Sequence, residues 1–153
     1  MKLNLALLTT FTFLLFSNEA FSQSMSITLA DAQKISDAAQ ARALQDNWNV
    51  VIAILDDGGN LVTLRRMDGT QLGSVEVAIA KAKTAIYFKR STKVFQDMII
   101  DGNTALLGLP NVVAVEGGLP IKRGEKIIGS IGISGVTSAQ DGIIAEAAVK
   151  VMQ

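Results

Sequence analysis

The sequence predicts an α+β domain in which helices cover a sheet of about five antiparallel strands. Two observations carry this expectation. Helical periodicities and short apolar runs follow one another in the order helix, two strands, two helices, three strands, helix. Consecutive strands are joined by short Gly-bearing turns, which leave no room for a crossover and force antiparallel pairing. No internal repeat, linker or low-complexity tract breaks the pattern, so one domain accounts for residues 23–153.

The first residues are expected to lie outside that domain. Lys2 gives a short positive start, and Leu5 to Phe16 is an apolar run too short to span a bilayer comfortably. Ala20-Phe21-Ser22 then offers small residues at a cleavage site, so residues 1–22 read as a secretory signal peptide. The mature chain would start near Gln23, in the periplasm or outside the cell, with no membrane attachment after cleavage. No Cys follows the segment, which excludes a lipoprotein anchor.

Each element has a local cause. Thr28-Leu29-Ala30-Asp31 is a capping-box pattern opening a helix over residues 29–46, with Leu29, Ala32, Ile35, Ala39 and Ala43 at helical spacing. Val50 to Leu55 is continuously apolar, as in a strand covered on both faces. Asp56-Asp57-Gly58-Gly59-Asn60 turns the chain into a second strand, residues 61–66. Ser74 is expected to cap a helix to about Lys89, whose small face of Ala78, Ala82, Ala85 and Ile86 lets it lie close on a sheet. Ser91 caps a shorter helix through Phe95, Met98 and Ile99, stopped by Asp101-Gly102-Asn103. Residues 112–115, 119–121 and 126–134 read as three strands. Gly129 and Gly132 within the last of them imply close backbone approach by a helix or a ligand. Ser138-Ala139-Gln140-Asp141 reads as the capping box of a final helix.

Composition removes several functions. The 14 basic and 14 acidic residues balance, which argues against nucleic acid and electrostatic membrane docking. With no Cys there is neither disulfide nor thiol chemistry. With no His there is no His-ligated zinc, no His general base and no Ser-His-Asp triad.

The remaining candidates each carry a plainer alternative. Asp56 and Asp57 suggest a metal site or acid pair, but adjacent strand residues point to opposite faces, and turn chemistry explains the same letters. Glu116-Gly117-Gly118-Leu119-Pro120 makes a defined corner where backbone amides could face a ligand, or a simple turn. Gly135-Val136-Thr137-Ser138 leads into a helix N-terminus able to hold a carboxylate, or is merely capped by Ser138. Arg66-Met67-Asp68 sits at a strand end and could line a pocket. Lys81 and Lys83 lie two apart on a helix and read as dispersed solvated surface. Tyr87, the only Tyr, could stack on a planar ligand or pack against protein.

Taken in order, Asp46-Asn47-Trp48-Asn49-Val50, Asp56-Asp57-Gly58-Gly59-Asn60-Leu61, Arg66-Met67-Asp68, Lys81-Ala82-Lys83-Thr84-Ala85, Glu116-Gly117-Gly118-Leu119-Pro120 and Ile127 to Gly135 with Ala139-Gln140-Asp141 form a specific set. The set resembles the GlcG/HbpS-like haem-binding family, and is similar also to the C-terminal domain of PduO-type proteins, over about residues 26–153. The resemblance implies a profilin-like fold, a five-stranded antiparallel sheet flanked by helices, and homo-oligomers. It implies haem or another tetrapyrrole as the ligand, with haem handling or redox sensing as the role. Family members often carry His where this chain has Asn60. Without His or Cys, iron ligation would fall to Tyr87, a Met or a hydroxyl such as Thr104, or haem would be held by its propionates and faces.

On this reading Arg66, Thr104, Glu116, Gly117 and Gly118 are the expected ligand contacts, and the metal ligand is unassigned. The alternative is an enzyme acting on a small carboxylate or hydroxyacid, with Glu116 as acid/base and the Ser138 helix N-terminus as anion site.

Overall fold

The computed structural model describes residues 26–152; the expected signal peptide, residues 1–22, lies outside them. Helix α1 (Leu29–Gln45) leads into the hairpin β1 (Val51–Asp56) and β2 (Leu61–Arg66). Helices α2 (Ser74–Phe88) and α3 (Thr92–Ile100) follow, with a 3-10 turn at Thr104–Gly108. Strands β3 (Gly118–Arg123) and β4 (Lys126–Ser134), helix α4 (Ser138–Val149) and a last 3-10 turn (Lys150–Met152) complete the chain.

The α+β class and antiparallel pairing hold, but among the described residues the sheet has four strands, in the order β2-β1-β4-β3. The expected strand at residues 112–115 is irregular backbone. Two amides in and just after this segment go to helix side chains instead of a sheet neighbour. The Val113 N–H donates to Thr84 Oγ1 at 2.9 Å, and the Glu116 N–H donates to Gln96 Oε1 at 2.8 Å. With those groups satisfied by α2 and α3, nothing drives the segment into the ladder.

The central strands explain their own composition. On β1, Ile52 and Ile54 enter the core shared with α1 and α4, while Val51, Ala53 and Leu55 pack with Ala78 and Ala82 of α2. Both faces are covered, so no polar alternation survives. On β4, Gly132 lets α2 sit on the sheet: a Cβ there would lie 2.0 Å from the Ala78 carbonyl oxygen and 2.7 Å from the Ala82 nitrogen. Ser130 Oγ donates to the Ala82 carbonyl at 2.8 Å across the same contact. The close approach read from Gly132 is therefore made by a helix.

Two caps differ from expectation by one residue. Thr137, not Ser138, caps α4, accepting from the Gln140 N–H while the Gln140 side chain reaches back to Thr137. Gly73 holds the cap position of α2, and Ser74 is its first helical residue, joined by hydrogen bonds to Gln71 and to Ser134. Thr28 and Ser91 cap α1 and α3 as expected.

The hairpin tip resolves the carboxylate pair. Asp56 Oδ1 accepts from the N–H groups of Gly58 (2.9 Å) and Asn60 (2.8 Å), while Asp57 is exposed and Gly59 takes φ +82°. Burial alone would raise the Asp56 carboxyl, but the hydrogen bonds from Asn60, Gly58 and Gly59 outweigh it and hold the pKa below its ordinary value. A carboxyl lowered in the folded state contributes stability above its unfolded pKa and loses it as pH falls through the folded pKa. Asp56→Ala is therefore expected to lower stability by about 1 kcal/mol at neutral pH, allowing for solvent screening at the turn. Chemical denaturation from neutral to acid pH checks this: the gap between variant and parent should close below the ordinary carboxylate range.

Candidate functional site

At the end of β2 the chain turns sharply and opens a cleft of about 320 Å³. Its wall on the helix side is Gln40 and Leu44, four apart on one face of α1. The strand side is Arg65, Arg66, Met67 and Asp68, closed by Asn49. The arginines are fixed by acceptors around the rim. Arg65 Nη1 donates to Gln40 Oε1 and to Asp37 Oδ1, both at 2.8 Å. Arg66 donates through Nε (3.1 Å) and Nη2 (2.6 Å) to the Thr70 carbonyl. The turn that supplies this carbonyl is held by the Thr70 hydroxyl on the Met67 carbonyl at 2.7 Å and by Gly69 at φ +79°. A guanidinium has five N–H donors, so each fork keeps donors for a ligand carboxylate.

A second constellation lies at the same end of the sheet, on the opposite edge. Gly117, at φ +122°, brings the chain to β4, where its carbonyl accepts from the Ile133 N–H at 2.9 Å. The Ile133 carbonyl accepts from Lys81 Nζ at 3.0 Å, and the same amine meets Asp141 Oδ2 at 2.8 Å. Both charged side chains are almost fully buried. Burial pushes the Asp141 carboxyl above its ordinary value, against the pull of the Lys81 hydrogen bond and charge. A Cβ at Gly117 would come within 2.9 Å of Lys81 Nζ and 2.8 Å of Asp141, so only glycine leaves room for the pair.

Lys81 is thus not solvated surface. It occupies position i+3 from Ala78 and precedes Ala82 and Ala85, the buried stripe of α2. Reading it on that face, rather than by its charge, would have found it.

The expected contacts are distributed rather than gathered. Arg66 belongs to the cleft with Met67 and Asp68. Glu116 is half-buried, its carboxylate against Gly142 of α4, and the amides of Glu116 and Gly118 are taken by Gln96 and by Thr92 Oγ1 (2.9 Å). Thr104 is exposed at the start of its 3-10 turn. Three strand spacings, about 14 Å, separate the two edges that carry Arg66 and the Glu116 corner. Gln40 and Arg65 are lining residues that sequence reasoning missed, because their meeting depends on where α1 crosses β2. The helix N-terminus at 135–138 is closed by the Thr137–Gln140 capping box.

A further cleft of about 430 Å³ lies at the other end of the sheet, where Asp57 and Glu125 face Lys89 beside Ile86 and Ile127. Among the described residues no helix is long and apolar enough to cross a membrane, and no three His, Cys, Asp or Glu side chains converge on a metal position.

Comparison with known proteins bears on the fold and the family. The family model for haem-degrading proteins of the HbpS-like type matches residues 27–150. The chain belongs to the HbpS-like family. Protein GlcG of Escherichia coli K12 is 40% identical to it over 103 residues, 67% of this chain and 77% of GlcG. Among solved structures, the PduOC:haem complex is 32% identical, with a TM-score of 0.74, covering 84% of this chain and 96% of that one. HbpS is 29% identical, with a TM-score of 0.77, over 86% and 94% of the two chains. Both solved structures share the helix–sheet arrangement described above, and the PduOC structure is a haem complex.

Proposed function

We propose that this protein is an exported tetrapyrrole-binding protein, with haem as its reference ligand, acting in haem handling or redox sensing as a homo-oligomer. The observation that carries the reading is the likeness to PduOC, whose structure is a haem complex. The export part rests on the signal-peptide pattern of residues 1–22. Within the chain, the Arg66 cleft supports it through chemistry: haem propionates are carboxylates, and fixed guanidinium forks are suited to them. Arg66 anchors a propionate on this reading. Thr104 and the Glu116-Gly117-Gly118 corner, whose Glu116 and Gly118 amides are already bonded within the fold, lie outside that cleft.

Titration with haemin, followed at the Soret band, tests the proposal. A shift that saturates at one haem per subunit or per subunit interface supports it, and an unchanged spectrum sinks it. Arg66→Ala should weaken binding about tenfold, the worth of one charge-assisted hydrogen bond.

A further inference from the structure

Proteins hold porphyrin iron through imidazole, thiolate, thioether or phenolate. This chain has no His and no Cys, which removes the first two from the entire sequence rather than from one cleft. One Tyr and five Met remain, with the Thr104 hydroxyl as a weaker donor that is exposed on its 3-10 turn and outside the Arg66 cleft. Tyr87 is 52% exposed at the end of α2, its ring laid over Gly59 at the hairpin tip, and it lines neither of the clefts described above. Met67 does line the Arg66 cleft, yet it is packed into the core, and its N–H and carbonyl are bound to Val50 and Thr70. Met98 on α3 and Met152 in the last 3-10 turn lie outside that cleft, and Met1 and Met25 lie outside the described residues.

The organic part of the ligand is served far better. Arg65 and Arg66 offer preorganised forks with donors to spare. Leu44, 55% exposed, gives the cleft an apolar wall for a ring edge. The cleft offers guanidinium donors and an apolar wall beside the Asp68 carboxylate, and the core-packed Met67 is the one side chain in its lining from those four ligand classes. The donor set fits the carboxylates and does not fit iron.

We infer that this protein recognises a tetrapyrrole by its carboxylates and ring edge and not through its metal, so that metal-free porphyrin and haem bind alike. The inference rests on the tetrapyrrole reading above and narrows it to a ligand class. Bound haem would have no strong ligand from the described residues of the cleft, which suits transfer of the tetrapyrrole more than chemistry at its iron.

The test titrates the same preparation of the mature protein with haemin, by absorbance, and with metal-free protoporphyrin IX, by fluorescence, followed by competition between them. Dissociation constants within about threefold of each other are expected. Haemin binding tighter by about thirtyfold or more would show that iron supplies part of the affinity and would overturn the inference while leaving the tetrapyrrole reading intact. Binding of neither ligand overturns both. Tyr87→Phe and Thr104→Val, both outside the Arg66 cleft, are expected to leave the Soret position of bound haemin unmoved. A shift in either variant identifies a protein ligand to iron and equally overturns the inference.

Discussion

Lys81→Met is expected to destabilise the protein by about 3–5 kcal/mol, the usual consequence of leaving one member of a buried ion pair without its partner. Lys81 Nζ has two acceptors, Asp141 Oδ2 and the Ile133 carbonyl, and methionine replaces neither. Methionine fills the stem of the lysine, so the loss is electrostatic rather than a cavity. Asp141, already raised by burial, rises further once the ammonium is gone. A carboxyl whose folded pKa is raised is tolerated below its unfolded pKa and costs stability as pH climbs through the folded value. The deficit of Lys81→Met should therefore be small in acid and grow toward neutral pH, the same sense as Asp56→Ala but from a stranded carboxylate rather than a lost one. Adding Asp141→Asn removes the stranded charge and should recover most of the loss. Urea unfolding of parent, single and double variants across pH measures all three. A single variant as stable as the parent at neutral pH would mean that the pair contributes nothing to the fold.

Gly132→Ala should lower stability by about 3 kcal/mol, at the upper end for overpacking. The new methyl would meet the Ala78 carbonyl oxygen and the Ala82 nitrogen, which are backbone atoms of α2 and cannot swing aside as a side-chain tip does. The helix would have to lift from the sheet, loosening the bond from Ser130 to the Ala82 carbonyl as well. Gly73→Ala is the matched control. A Cβ there meets nothing within 4 Å, so a change within about 0.5 kcal/mol is expected. Thermal unfolding of the two variants side by side separates steric conflict from any general effect of removing glycine.

Elements with a local cause were legible in the sequence. Gly59 and Asp56 specify the hairpin tip through a positive φ and a carboxylate that caps its own turn, both matters of adjacent residues. The unbroken apolar run of β1 announced burial on both faces, and the structure supplies α2 on one side and α1 with α4 on the other. Residues 112–115 failed because four apolar residues look alike in a strand and in a covered loop. What decided their state were Thr84 and Gln96, polar side chains 29 and 20 positions away in sequence from the amides they accept from. The site divides the same way. Arg66-Met67-Asp68 at a strand end does line a cleft, whereas the facing Gln40 and Leu44 come from α1, a relation only the packed fold reveals. Lys81 was legible by face and was hidden by its charge.

The central claim is that a tetrapyrrole is held at the Arg66 cleft, and the most direct test follows the porphyrin titration residue by residue. Amide chemical shifts of isotope-labelled mature protein, recorded to saturation with protoporphyrin IX, should move most over residues 40–49 and 65–70 and fade with distance from them. Saturating shifts centred instead on the cleft of Asp57, Ile86 and Ile127, or the absence of any saturating shift, would contradict it.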